Sequence, residues 1–188
     1  MTVLTTSRLR LEPIGDQHLQ GLHAMNALPE VMQFISGQGE TPEQTAAFVA
    51  RVKRCWAAWG TSWWALIHLE SGRVAGAGCI QHLRREAAIP GDLNTLRHNP
   101  LEIGWRLHPD FWHQGLASEA ASRMAAFAFE DFAAEELLAV RHPENLNSAR
   151  VMDRLGMRYR GLETWYGREL ATHVLGRDAW LRTLPSQR

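Results

Sequence analysis

The sequence predicts one α/β domain, residues 1–188, built on a mixed sheet of six or seven strands. Three observations carry this. The apolar pattern changes period along the chain in the order strand, two helices, three strands, helix, strand, helix, two strands. No internal repeat, low-complexity tract or linker breaks that order. A length of 188 residues, with 45% apolar side chains, suits a single domain with a sizeable core.

The opening strand is Arg8 to Pro13, where charged and apolar residues alternate. Asp16 is a candidate N-cap for a helix carrying Leu19, Leu22 and His23 and ending before Pro29. Thr41-Pro42-Glu43-Gln44 marks the second helix. It has a capping Thr, a Pro at the first helical position, and a Gln three residues after the cap. That helix carries Phe48, Val52, Cys55, Trp56 and Trp59 and stops at Gly60. Ser62 to Leu69 and Arg73 to Gln81 form a hairpin around Glu70-Ser71-Gly72. Leu83 to Pro100 is a polar loop without periodicity, long for a connector and therefore functional or mobile. Leu101 to Leu107 reads as a buried strand ended by Pro109. From Ala117 the apolar positions Ala120, Ala121, Met124, Ala125 and Ala128 fall on one helical face. Leu137 to Arg141 is a short strand, and Asn147 to Leu155 a helix ended by Gly156. Met157 to Trp165 and Leu170 to Arg182 close the sheet, with Trp165 to Arg168 as the turn region.

Composition excludes several function classes. Twenty basic and 20 acidic side chains cancel, which argues against a nucleic-acid groove or a charged tail. The chain has no long apolar run and no charged-then-apolar leader pattern, so neither a membrane span nor export is expected. Two cysteines, Cys55 and Cys79, make neither a disulfide framework nor a C-x-x-C pair. Reducing cytoplasm is the expected compartment. Nine histidines offer no pair at i, i+4 on a helix with a third ligand near, so no metal is expected.

The chemistry concentrates between the Leu101–Leu107 strand and the helix after it. Trp112-His113-Gln114-Gly115-Leu116-Ala117-Ser118 is a small-residue turn that opens a helix. Such a turn presents unpaired N–H groups and the positive end of a helix dipole, which together suit a phosphate. Small side chains at Gly115 and Ala117 would let the anion approach the backbone. An ordinary strand–turn–helix crossover containing glycine would look the same on spacing alone.

This segment resembles the acyl-CoA-binding motif of the GNAT N-acetyltransferase superfamily, Q/R-x-x-G-x-G/A, with Trp112 where Gln or Arg is usual. Phe111 to Ala120 is similar to the "YWGKGYATEA" form of the ribosomal-protein N-terminal (RimJ/RimL-like) acetyltransferase branch, in which Trp at that place is normal. The start "SRLRLEPI", Pro29 to Met32, and Leu101 to Trp105 also resemble that branch. So does Asn145 to Met157, which is close to "N-x-x-S-x-R-V-L-E-K-L-G-F".

The resemblance implies a GNAT-type fold with helices on both faces of a mostly antiparallel sheet and a splayed central strand pair. It implies acetyl-CoA (coenzyme A) as cofactor and an amine acceptor, either a protein N-terminus or a small molecule. A catalytically silent acyl-CoA-binding module is the competing class. The N–H groups from about His113 to Ser118 would hold the diphosphate. Trp105, Arg106 and Leu107 would offer a strand edge to the peptide-like pantetheine arm, with an N–H near Trp105 as oxyanion donor. Asn145 would bond pantetheine and Ser148 would face the cofactor sulfur. Both residue types also favour helix N-caps, and the two roles are compatible.

Glu102 is the first candidate general base; the alternative is a hydrogen-bonded carboxylate that holds the sheet. His82 is the second candidate base, its alternative a solvated strand end. Cys79, inside an apolar strand, reads as core rather than nucleophile. Trp56 and Trp59 read as core, whereas Trp63, Trp64, Trp105 and Trp165 are candidate walls for the acceptor. Oligomeric state stays open, a homodimer included.

Overall fold

Strands with apolar residues on both faces alternate with helices apolar on one, so a sheet between helical layers is the arrangement that buries both. The computed structural model describes residues 1–183; positions 184–188 of the expected domain lie outside the described residues. The strands are β1 (Leu4–Thr5), β2 (Leu9–Pro13), β3 (Trp63–His68), β4 (Val74–His82), β5 (Leu101–Leu107), β6 (Glu136–Arg141), β7 (Arg158–Trp165) and β8 (Arg168–Gly176). The helices are α1 (Leu19–Asn26), α2 (Pro29–Met32), α3 (Pro42–Trp59), α4 (Leu116–Ala126), α5 (Leu146–Arg154) and α6 (Arg177–Thr183). The strands form one open sheet in the order β1-β2-β3-β4-β5-β6-β8-β7. Every pairing is antiparallel except β5 with β6.

Local signals explain most element boundaries. Thr41 and Gln44 exchange hydrogen bonds at the start of α3, at 2.8 and 3.3 Å, and Gly60 ends it at φ +73°. Gly156 closes α5 in the same left-handed conformation. Helices lie on both faces, as expected. On one, Met124 of α4 packs against Gly78, where an added Cβ would meet it at 2.7 Å. On the other, Arg106 lies between the rings of Phe48 from α3 and Trp63, and its Nε donates to Asn26 of α1.

Four expectations need correction. The sheet has eight strands, because β1 is a two-residue strand paired with Arg10 and Leu11 and is too short to carry a period. The last strand does not run to Arg182. It stops at Gly176, and α6 follows, its Trp180 stacked on Phe129 at 6.0 Å. Asp16 does not cap α1: it opens a single 3₁₀ turn, Asp16–His18, and its carboxylate pairs with Lys53 at 2.7 Å. Pro29–Met32, expected as the segment after a helix end, forms the short helix α2.

The feature that positions the site is a split in the sheet. β5 pairs with β4 along its whole length but with β6 only at Leu101↔Leu137 and Glu102↔Leu138. Beyond Glu102 the two strands separate, while β6 stays paired with β8 throughout.

Candidate active site at the split in the sheet

The edge that β5 presents to the split follows from ladder alternation. His108 donates to Ala75 of β4 at 2.9 Å, so the in-register residues alternate from there in pointing toward and away from β4. Arg106 points its backbone toward β4; Trp105 and Leu107 point theirs into the gap. The carbonyl of Leu107 is already engaged by the indole N–H of Trp112 at 2.8 Å. Of the three expected edge residues, Trp105 therefore offers free main-chain groups, Leu107 offers its N–H, and Arg106 offers only its side chain.

Past β5, the turn into α4 is held in an uncommon shape. His113 and Gly115 have φ of +60° and +77°, and Gly115 is the residue before the first helical turn. Among the described residues, none of the N–H groups from His113 to Ser118 donates to a protein acceptor. The Oγ of Ser118 is also buried and unpartnered. Arg8 fastens the turn from outside: its guanidinium pairs with Glu119 at 2.6 Å and donates to the Gln114 carbonyl at 2.9 Å. An added Cβ on Gly115 would meet only Arg8, at 3.7 Å, so what selects glycine there is backbone conformation rather than space within the protein.

This turn lines a cavity of about 770 Å³ that runs into the split. The cavity gathers Trp105, Arg106, Leu107, Trp112, His113, Gly115, Leu116, Ala117, Ser118, Asn145 and Ser148. Gln114 is the expected residue it does not gather; the side chain folds back to the Asp110 carbonyl at 2.8 Å. Asn145 caps α5 by accepting from the Ser148 N–H at 3.1 Å, so the cap reading of this pair holds while both residues face the cavity. Arg150 and Arg154 add positive charge along the α5 wall.

A second cavity, about 460 Å³, adjoins the first across Trp105, Arg106, Val140 and Arg141. Glu102 lines it and is 7% exposed. Its carboxylate accepts from Gln81 Nε2 at 2.9 Å and from the Tyr166 hydroxyl. Burial raises its pKa above the ordinary glutamate value, only partly offset by those two hydrogen bonds. Tyr166 is pushed far up by burial and by the neighbouring Glu102, and so stays a donor. Tyr166 and Gly167 form the two-residue β7–β8 turn, with φ of +56° and +70°, anchored on the Arg84 and Arg85 carbonyls at 2.9 and 2.7 Å.

Several sequence candidates fall elsewhere. His82 lines neither cavity: its ring bonds the Asn99 carbonyl at 3.0 Å, packs on Trp59, and has its pKa lowered by burial. Trp63 and Trp105 line the second cavity, but Trp64 and Trp165 are fully buried core. Trp56 and Trp59 are buried, as expected. Cys79 is completely buried and its thiol pKa raised, which removes it as a nucleophile. Among the described residues no three His, Cys, Asp or Glu side chains converge on a metal position, and no helix is long and apolar enough to cross a membrane.

Sequence reasoning missed Tyr166, Gln81 and Arg8. Signals existed for the first two. Tyr-Gly between strands implies a two-residue turn that aims Tyr166, and Gln81 is a polar break in the otherwise apolar run of β4. Arg8 lies more than 100 residues from the turn it holds, and nothing local marks it.

The family model of the acetyltransferase (GNAT) domain matches residues 8–158. The chain belongs to the GNAT acetyltransferase family. The FsC-acetyl coenzyme A-N(2)-transacetylase of Aspergillus fumigatus is 27% identical over 169 residues, covering 88% of this chain and 68% of that protein. The uncharacterized N-acetyltransferase YnaD of Bacillus subtilis is 28% identical over 161 residues, covering 84% of each. Among solved structures, RimL, a ribosomal L7/L12 alpha-N-protein acetyltransferase in complex with coenzyme A, shares the fold. Its TM-score is 0.74 at 16% identity, over 95% of this chain and 99% of that one.

A GNAT acetyltransferase takes its acetyl group from acetyl-CoA, and the first cavity fits that molecule. The unpaired amides, the orphaned Ser118 hydroxyl and the left-handed Gly115 suit a diphosphate. The exposed edge of β5 suits an amide-bearing arm.

Proposed function

We propose that this GNAT acetyltransferase, with residues 1–188 as one catalytic domain, acetylates a primary amine by direct attack, with a protein N-terminal α-amine as the favoured acceptor. The observation that carries the proposal is the placement of Glu102. It sits at the last rung joining β5 to β6, on the same strand as Trp105, whose free edge borders both cavities.

Bound acetyl-CoA would supply an activated thioester. The N–H groups from His113 to Ser118 would hold its diphosphate, helped by the Ser118 hydroxyl. Asn145 and the main chain of Trp105 would fix the amide-bearing arm, with the indoles of Trp105 and Trp112 as walls. Glu102, its pKa raised by burial, would take the proton of the incoming ammonium, directly or through water. Ser148 would donate to the departing sulfur. Both cysteines are buried, which favours direct attack over an acyl-cysteine route.

The acceptor preference rests on energetics. At pH 7 a lysine amine costs about 4.6 kcal/mol to deprotonate and an α-amine about 1 kcal/mol. A single carboxylate acting as base suits the second. The fold likeness to RimL, named as an alpha-N-protein acetyltransferase, points the same way.

The test is acetyl transfer to a panel of N-terminal peptides, lysine side-chain analogues and small amines, followed by release of the coenzyme A thiol. Turnover on α-amines above the other classes is the expected result. Acetyl-CoA binding without turnover on any amine would show a silent binding module instead.

A further inference from the structure

The second cavity carries a charge pattern that its catalytic reading does not use. Five arginines line it: Arg51, Arg84, Arg106, Arg141 and Arg168. Among the described residues, none of the five forms a salt bridge. The cavity's two carboxylates are engaged elsewhere: Glu102 by Gln81 and Tyr166, Glu40 by Asn26 and Thr45 at 2.9 and 3.0 Å. Two guanidinium groups have buried N–H groups with no partner at all, Arg106 at Nη2 and Arg141 at Nε.

An unpartnered buried donor is costly, and a charged one more so. Arg106 is held by π-faces rather than by an acid, 4.7 Å from the Phe48 ring and 4.6 Å from that of Trp63. Arg51 is similarly placed 5.2 Å from Phe48, and Arg84 lies 4.5 Å over Tyr166. Aromatic platforms of this kind fix a guanidinium without neutralising it. Arg84 donates through Nε and Nη2 to the Ala87 carbonyl and Arg141 through Nη1 to the His142 and Pro143 carbonyls, while Arg106 Nη2 and Arg141 Nε stay open to an anionic oxygen. Such a cavity repels a polyamine and attracts an anion.

Building on the transferase reading, we infer that the acceptor is an amine that also bears an acidic side chain, its amine directed to Glu102 and its side-chain carboxylate met by the arginines of the second cavity. A cavity of about 460 Å³ holds an amino acid or the first residues of an acidic peptide. Two sources share this chemistry, a free amino acid and an acidic peptide N-terminus. Arg51, Arg84 and Arg168 line the second cavity alone, whereas Arg106 and Arg141 also border the first. The first three therefore read the acceptor rather than the cofactor.

The experiment has a catalytic and a binding arm. In the first, acetyl transfer is compared across Ala-Glu, Ala-Gln and Ala-Lys, free glutamate and glutamine, and spermidine. We expect Ala-Glu or glutamate to exceed its Gln counterpart at least tenfold in kcat/KM, with the Lys dipeptide and spermidine poorest. Whichever acidic acceptor leads identifies the source. In Arg51→Gln/Arg168→Gln the acidic preference should shrink to within about threefold through KM, with acetyl-CoA affinity by calorimetry unchanged. In the second arm, calorimetry with N-acetyl-Ala-Glu and N-acetyl-Ala-Gln reads the same preference without turnover. Equal binding of those two products, best turnover on spermidine or Ala-Lys, or an acidic preference surviving in the double variant would each overturn the inference. Failure of every amine in the first arm, with the acidic product still bound more tightly in the second, would overturn the transferase reading and leave the anion site standing.

Discussion

Glu102 is where the chemistry and the cost of folding meet. Its pKa is raised by burial, among Gln81, Tyr166, Cys79 and the more distant Arg84 cation. The folded state therefore binds this proton more tightly than the unfolded chain. With the unfolded state carrying fewer protons between the ordinary glutamate pKa and the raised one, stability from this group falls as pH rises through that window. Glu102→Gln keeps an oxygen to accept from both Gln81 and Tyr166 but removes the buried charge. We expect kcat to fall about 100-fold or more while acetyl-CoA affinity stays within twofold and thermal stability at pH 7 is equal or higher. A carboxylate that merely held the sheet would give the reverse, retained turnover with lost stability. In the wild-type enzyme, kcat/KM should decline on the acid side with a midpoint above that of a free glutamate.

The turn before α4 was legible for a physical reason: a glycine before a helix of small residues is a local pattern. Less visible was why Gly115 is required. The structure gives φ +77° there with open space on the protein side, so Gly115→Val is strained by backbone rather than by collision. We expect at least a tenfold loss of acetyl-CoA affinity by calorimetry with only a few degrees lost in Tm. Capping was equally readable. Asn145→Ala removes the acceptor of the Ser148 N–H and should lower stability by about 1 kcal/mol in chemical denaturation. Element ends that depend on distant partners were not readable. The strand expected to reach Arg182 gives way to α6 because Trp180 finds Phe129, a contact set by tertiary packing. The Leu83–Pro100 loop is no free connector either: Leu93 and Leu96 are buried against Cys55 and Trp59, and Arg84 and Arg85 hold the Tyr166 turn. The polar composition of that loop concealed both roles.

The molecule as a whole is a sheet in two sections that meet at two rungs. The element order and the mixed sheet followed from periodicity, whereas the split followed from the family resemblance alone. The arginine-lined second cavity did not, because its members come from α3, the loop after β4, β5, β6 and β8, and no window of sequence contains them together. Acetyl-CoA, bound by the folded chain and not by the unfolded one, should stabilise by simple linkage. At a concentration 100 times its Kd the gain is about 2.7 kcal/mol. For a domain of this length that corresponds to a rise of about 5–10 °C in Tm. A markedly smaller shift, at a Kd measured independently, would mean that the cofactor also binds the unfolded chain or that unfolding is not two-state.

The Tyr166 hydroxyl comes from the hairpin of β7 and β8, and the carboxylate it meets comes from β5. That contact works as a clasp between the two sections of the sheet, and the acid in it is the group proposed to receive the acceptor's proton. Each catalytic cycle would then neutralise one half of the clasp when the acceptor's proton arrives, weakening the tie between the two sections while the acetyl group is transferred.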